Sequence, residues 1–175
     1  MNKNNSGCEK LWAPWRMKYI ESVDVGDEGC IFCQKPAQND DDRNLILKRG
    51  KHCFIIMNLF PYNNGHLMVV PYTHTSDIND LDADTRLEMM DFVNLVINAM
   101  SGFMRPDGFN VGMNLGRCAG AGIADHLHMH IVPRWNGDTN FMPIIGCSKV
   151  ISESLEDTFV KLQCAIREQE NCAEE

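Results

Sequence analysis

Between Leu45 and Pro71 the apolar residues fall in short runs and alternations separated by turn formers. LILKRGKHCFIIMNLFP is apolar on both sides of an RGK turn, which predicts two antiparallel strands. NNGHLMVVP adds a turn and a third strand ending at Pro71. From Asp80 the period lengthens. Leu87, Met90, Val93, Leu95, Ile97 and Met100 lie mostly at helical spacing, with Asp82 or Asp84 near the start and Gly102 and Pro106 bracketing the end. GFNVGMNLG and DHLHMHIVP return to strand patterns, joined by the small-residue loop RCAGAGIA. A C-terminal helix is predicted where Ser152 precedes Leu155, Phe159, Leu162 and Ile166. Nearer the start, LWAPWRMKYIE reads as a short amphipathic helix or arm docking through its aromatics, and QKPAQNDDDRN, after Cys33, as a loop. Mixed strands and helices in this order make an α+β domain with a mainly antiparallel sheet.

Composition narrows the class. The 175 residues fit one domain, 1–175, with flexible ends at about 1–10 and 170–175. A net charge of -8 disfavours binding to a nucleic acid backbone, so an anionic substrate would need local donors. The start has no apolar core of a secretory signal and no run reaches the length of a membrane span, which implies a cytoplasmic protein without membrane partners. Its eight cysteines are then expected as reduced thiols, small buried hydrophobes in the case of Cys53 and Cys147. Only Cys30 and Cys33 are spaced as a functional pair.

Three of the six histidines stand at alternate positions of HLHMHIVP. On a strand, His126, His128 and His130 share a face at intervals of about 6–7 Å, while Leu127, Met129 and Ile131 point the other way and hold the register. Two chemistries suit the row: a three-histidine zinc site with an open position for water, or nucleophilic attack by a neutral imidazole whose neighbours fix its tautomer. CIFC supplies two thiolates for a tetrahedral zinc and needs two ligands from elsewhere. A redox pair would want a strand before it and a helix start after it.

Together HLHMHIVP, MNLFPYNNGHLMVVPYTH, NLGRCAGAGIADH, CIFC, LWAPWRMKYI and VPRWNGDTNFMPIIGCSKVI resemble the histidine triad (HIT) superfamily. The likeness runs from about Leu11 to the final helix and is greatest to bacterial dinucleoside polyphosphate phosphorylases or hydrolases, those of diadenosine tetraphosphate among them. It implies a HIT-like fold: a roughly five-stranded antiparallel sheet with one long helix, a C-terminal helix and an N-terminal aromatic arm. It implies nucleotidyl transfer, by phosphorolysis or hydrolysis, through a covalent adduct on His128, with His130 and His66 in the same catalytic cluster. Asn58 would bind ribose, Ile56 and Leu59 the base, and Asn114 with the loop Gly120, Ala121 and Gly122 the phosphates. Cys30, Cys33, His74 and His126 would hold a structural Zn2+. Partners would be a nucleotide or dinucleoside polyphosphate and a second copy in a homodimer, with no nucleic acid. Gly122 stands where many relatives carry Gln or Ser, side chains that can donate to the leaving group. The rival functions are a zinc-dependent hydrolase with the triad as metal ligands and a non-enzymatic nucleotide-binding module.

Overall fold

The computed structural model describes residues 29–139 and 151–173. The aromatic arm at 11–21, Cys8 and Cys147 lie outside these residues. The segment after Cys33, expected as a loop, is largely helical: it completes α1 (Ile31–Ala37) and forms α2 (Asp41–Asn44). The polar residues that suggest a loop serve here as caps. The Asp40 carboxylate accepts the Arg43 amide at 3.4 Å, and the Asn44 side chain donates to the Asp40 carbonyl at 2.9 Å and to Gln38 Oε1 at 3.0 Å.

Strands β1 (Ile46–Arg49), β2 (Cys53–Met57), β3 (Leu67–Pro71), β4 (Gly108–Met113) and β5 (Met129–Arg134) form one sheet in the order β1-β2-β3-β5-β4, with every pairing antiparallel. Alternation divides its two faces. Cys53, Ile55, Met57, Leu67, Val69 and Ile131 join the core beneath α3 (Ala83–Phe103) and α4 (Leu155–Ala173). Phe54, Ile56, Met68 and Val70 pack on the opposite face with Ile46 and with Phe32 from α1.

Asp82 caps α3, accepting the Thr85 amide at 2.7 Å. The helix lays Met89, Phe92, Val93, Val96, Ala99 and Met100 into the core. Leu87 and Met90, expected on that stripe, are 62% and 49% exposed. They lie off the i, i+3, i+4, i+7 line that starts at Met89. The cap of α4 is Ser154 rather than Ser152: its Oγ accepts the Asp157 amide at 3.1 Å. Phe159, Leu162 and Ile166 are buried as predicted.

The β1–β2 turn is tied to α3 by one carboxylate. Glu88 accepts the amides of Lys51, His52 and Cys53 at 2.8, 2.6 and 2.7 Å. A side chain at Gly50 would place its Cβ 2.5 Å from the Phe92 ring and 2.8 Å from the Glu88 carboxyl carbon, so glycine permits this close approach. Among the described residues, no helix is long and apolar enough to cross a membrane.

Candidate functional site

β5 begins at Met129, so of the three triad histidines only His130 lies within the paired strand. His126 and His128 occupy the segment that feeds it, anchored by the Leu127 amide on the Thr75 carbonyl at 2.7 Å. Their alternation survives. Leu127, Met129 and Ile131 pack toward the helices, while the rings of His126 and His128 meet Phe32 and His130 pairs opposite Met68.

At one end of this row, the Cys30 and Cys33 thiols and the His74 and His126 imidazoles converge with all four donor atoms within 4.8 Å of one another. His74 Nδ1 and His126 Nδ1 are 3.2 Å apart. Cys30 Sγ lies 3.2 Å from His126 Nδ1, and Cys33 Sγ lies 3.5 Å from His74 Nδ1 and 3.7 Å from His126 Nδ1. A tetrahedral zinc with its usual bond lengths sets N···N at about 3.3 Å and S···N at about 3.6 Å, so the residues fit such an ion. His126 Nε2 donates to the Pro71 carbonyl at 2.8 Å, which leaves Nδ1 bare and aimed at the centre. Burial, with smaller pushes from His74 and His128, keeps this imidazole below its ordinary pKa against the Pro71 bond. Burial and the adjacent Cys30 thiol raise the Cys33 thiol, an effect that a bound cation reverses.

Cys30 is the N-cap residue of α1, so the helix that a redox pair wants is present after all. The two converging histidines are what a dithiol alone does not need. Among the described residues, no other group of His, Cys, Asp or Glu could hold a metal ion; His128 and His130 stand outside the group. The triad therefore does not assemble into a three-histidine metal site.

Beyond His126 the bonding changes character. His128 Nδ1 donates to the His126 carbonyl at 2.9 Å, so the Nε2 lone pair is unprotonated in the neutral ring. Burial lowers the His128 pKa more than that bond raises it. His66 Nδ1 accepts the Tyr62 amide at 3.0 Å and faces the Asn58 amide nitrogen at 3.2 Å. Its proton is therefore on Nε2, which donates to His130 Nδ1 at 2.9 Å. His130 Nδ1 therefore accepts, and the neutral ring carries its proton on Nε2; Asn114 Nδ2, itself a donor, lies 3.4 Å from that nitrogen, so the amide can accept from it only through its oxygen. One backbone amide, that of Tyr62, thus orders the protons of two imidazoles. The row can offer a bare nitrogen on His128 beside an N–H on His130.

The residues expected to bind substrate are dispersed around this row. Asn58 is buried and its Oδ1 accepts the Phe60 amide at 3.0 Å, so both ends of the side chain are engaged. Ile56 is buried in the cluster that includes Phe32, whereas Leu59 is half exposed. The turn from Gly116 folds on itself: the Gly120 amide donates to the Arg117 carbonyl and the Ala121 amide to that of Gly116, at 3.0 and 3.4 Å. Past His130, an open cleft of about 370 Å³ runs along β4, with Tyr62, Asn63, Asn110, Asn114 and Arg134 among its walls. Arg134 is held there by both oxygens of Asp138 and by Asn110.

Two aromatic residues of the site went unread in the sequence. Phe32 lies 5.5 Å from the His126 ring and 5.1 Å from the His128 ring, and Tyr62 lies 4.4 Å from His66. The only signal for Phe32 is its place between the two cysteines; for Tyr62, its place at the turn before His66. Nothing in the sequence marks the Pro71 carbonyl as the partner of His126.

An antiparallel sheet carrying a histidine row, with helices on its other face, matches the HIT domain model over residues 39–137. The chain belongs to the histidine triad family. Within it, AP-4-A phosphorylase of Mycobacterium tuberculosis is 45% identical over 157 residues, 86% of this chain and 80% of that protein. A Zn-bound histidine triad family protein from Mycobacterium smegmatis shares the fold with a TM-score of 0.68 at 25% identity, over 84% of this chain and 99% of its own. A hypothetical histidine triad nucleotide-binding protein from Sulfolobus tokodaii gives 0.63 at 30% identity, over 81% and 93%.

Proposed function

We propose that this protein is a nucleotidyl transferase that splits dinucleoside polyphosphates such as diadenosine tetraphosphate, with inorganic phosphate as acceptor. The observation that carries the reading is the fixed tautomer of His128, whose Nε2 lone pair is unprotonated beside the N–H of His130. The likeness to the M. tuberculosis phosphorylase supports the choice of substrate and acceptor. His128 Nε2 attacks the α-phosphorus: a P–N bond forms, the α–β anhydride P–O bond breaks, and nucleoside triphosphate leaves. A phosphate oxygen then attacks the same phosphorus, the P–N bond breaks, nucleoside diphosphate departs and His128 is restored. An acceptor that arrives as an anion needs no base to deprotonate it. That fits a chain with Gly122 where relatives place Gln or Ser. His130 stabilises charge on the transferred phosphoryl group, and His66 holds His130.

Cys30, Cys33, His74 and His126 are read as a closed zinc centre that supplies a cross-link and no bond-making step. Asn58 and Leu59 are read as the nucleoside contacts, with Ile56 as the buried wall behind them, and Asn114 with Gly120, Ala121 and Gly122 as the phosphate contacts. The homodimer is read across the open edge of β4 and the outer side of α3, where Val111, Leu87 and Met90 expose apolar surface. Free cysteines among the described residues suit a reducing cytoplasm.

Incubation with diadenosine tetraphosphate tests the reading. ADP and ATP in equal amounts, formed only when phosphate is added, are expected. AMP accumulating at the same rate with or without phosphate would overturn the choice of acceptor. His128→Ala should lose turnover by roughly 10⁴-fold or more and form no protein-bound nucleotide, while still binding substrate. Persistent adduct formation in that variant would remove His128 from the reaction.

A further inference from the structure

We propose that Cys30 and Cys33 are a peroxide-sensitive modification site, and that their oxidation to a disulfide discharges the metal and disables His128. The inference rests on the zinc reading above. The two cysteines close one helical turn: the Cys33 amide bonds the Cys30 carbonyl at 3.0 Å, and both sulfurs face one centre. Joining them is a local event that leaves the sheet untouched. Cys33 is exposed and Cys30 partly so, whereas His126 and His128 are buried, so a small oxidant reaches sulfur before it reaches the imidazoles.

His126 and Phe32 connect this pair to the nucleophile. The His126 ring meets Cys30 and Cys33 at Nδ1, and the carbonyl of the same residue accepts the His128 Nδ1 proton. Phe32, on the turn between the cysteines, packs on the His128 ring. A contraction of that turn therefore acts on His128 through its hydrogen-bond acceptor and through its ring contact. His126 and Phe32 are positioning residues in this scheme.

In the chemistry, the Cys33 thiolate attacks one oxygen of hydrogen peroxide, an S–O bond forms, the O–O bond breaks, and the departing hydroxide takes a proton to become water. The Cys30 thiolate then attacks that sulfur. An S–S bond forms, the S–O bond breaks, and a second hydroxide leaves as water. The sulfur pair loses two electrons, the peroxide gains two, and zinc departs as the unchanged dication because two of its four ligands are gone.

The test uses the full chain in a Cys118→Ser background, since Cys118 is an exposed thiol in the loop ahead of the triad. Zinc content is measured first, before any oxidant; its absence overturns the metal reading independently of the redox step. Hydrogen peroxide is then titrated while three quantities are followed: zinc release to a chromogenic chelator, the Cys30–Cys33 disulfide by peptide mass spectrometry, and nucleotidyl labelling of His128. All three should advance together, with labelling down about tenfold or more and restored by a dithiol reductant plus zinc. Cys33→His keeps a ligand atom and cannot form the disulfide, so peroxide should leave its own labelling rate unchanged. Disulfide formation with undiminished labelling overturns the proposal. So does an equal peroxide loss in Cys33→His, or a failure of reductant and zinc to restore the unmutated protein.

Discussion

The two ends of the histidine row use the same side chain in opposite ways. Around His126, four atoms with lone pairs point at one another, two of them imidazole nitrogens 3.2 Å apart. Around His130, donors and acceptors alternate from the Tyr62 amide through His66 to His130. Convergent acceptors repel until a cation sits between them; an alternating chain is satisfied by protons alone. The distinction separates a cation site from a proton-ordering site, even though both are built from histidines on one face. His128 stands between them, bonded to the backbone of the first and packed edge to face, at 4.8 Å, against His130 of the second.

The largest effect should come from emptying the first end. A structural zinc contributes folding free energy directly. If removal costs about 5 kcal/mol, the melting temperature of a chain this size drops by roughly 10–20 °C. Calorimetry with and without a strong chelator, followed by zinc readdition, measures it. A melting temperature unmoved by chelation of zinc-replete protein would mean that the four convergent atoms tolerate one another without an ion.

Phe32→Ala probes the contact that spans both ends. The ring is fully buried and packs in the cluster with Phe54 and Ile56 as well as against His126 and His128. Truncation should cost about 3–5 kcal/mol in denaturant unfolding and lower metal affinity as well, because Phe32 lies on the turn that carries Cys30 and Cys33. Loss of stability with zinc affinity unchanged would show the metal end to be rigid without it.

The alternating end is more tolerant. His66→Ala should reduce kcat by about 10–100-fold with little change in KM, since His66 acts on His130 rather than on substrate. His66→Gln should recover much of that loss, because its amide nitrogen can donate to His130 Nδ1. Equal deficits in the two variants, or a change confined to KM, would place His66 in substrate binding.

Much of this contrast was legible along the chain, and the reasons for the rest are physical. Strands β1 to β4, α3 and the facing of the triad follow from local period, because each residue's side is fixed by its neighbours. The helices after Cys30 escaped because Asn and Asp mark caps and turns with the same letters. Leu87 and Met90 fit the helical period yet stay exposed, because apolar residues outnumber the positions that the sheet can cover. The ligand set came from resemblance and not from spacing. His74 and His126 are separated from the cysteines by chain lengths that no local pattern encodes. Phe32, Tyr62 and the Pro71 carbonyl act through contacts that exist only once the sheet has formed.

A third arrangement completes the rule, and it carries the smallest predicted effect. At Glu88 the hydrogens converge: three backbone amides point at one carboxylate, the mirror image of the metal centre. Convergent donors call for an anion. Burial pushes the Glu88 pKa up, but the amides of Lys51, His52 and Cys53 outweigh it and hold the group below the ordinary value of 4.5. A carboxyl depressed in the folded state stabilises fully above its unfolded pKa, and that contribution disappears as pH falls through the lower folded value. Glu88→Gln should therefore cost about 1–2 kcal/mol near neutral pH, and the gap between variant and parent should close as the medium is acidified below pH 4.5. Denaturant unfolding of both proteins across that range measures it. A gap that stays constant into acid would mean that the amides need only an acceptor and are indifferent to its charge; one that closes would show that the charge itself matters to the turn.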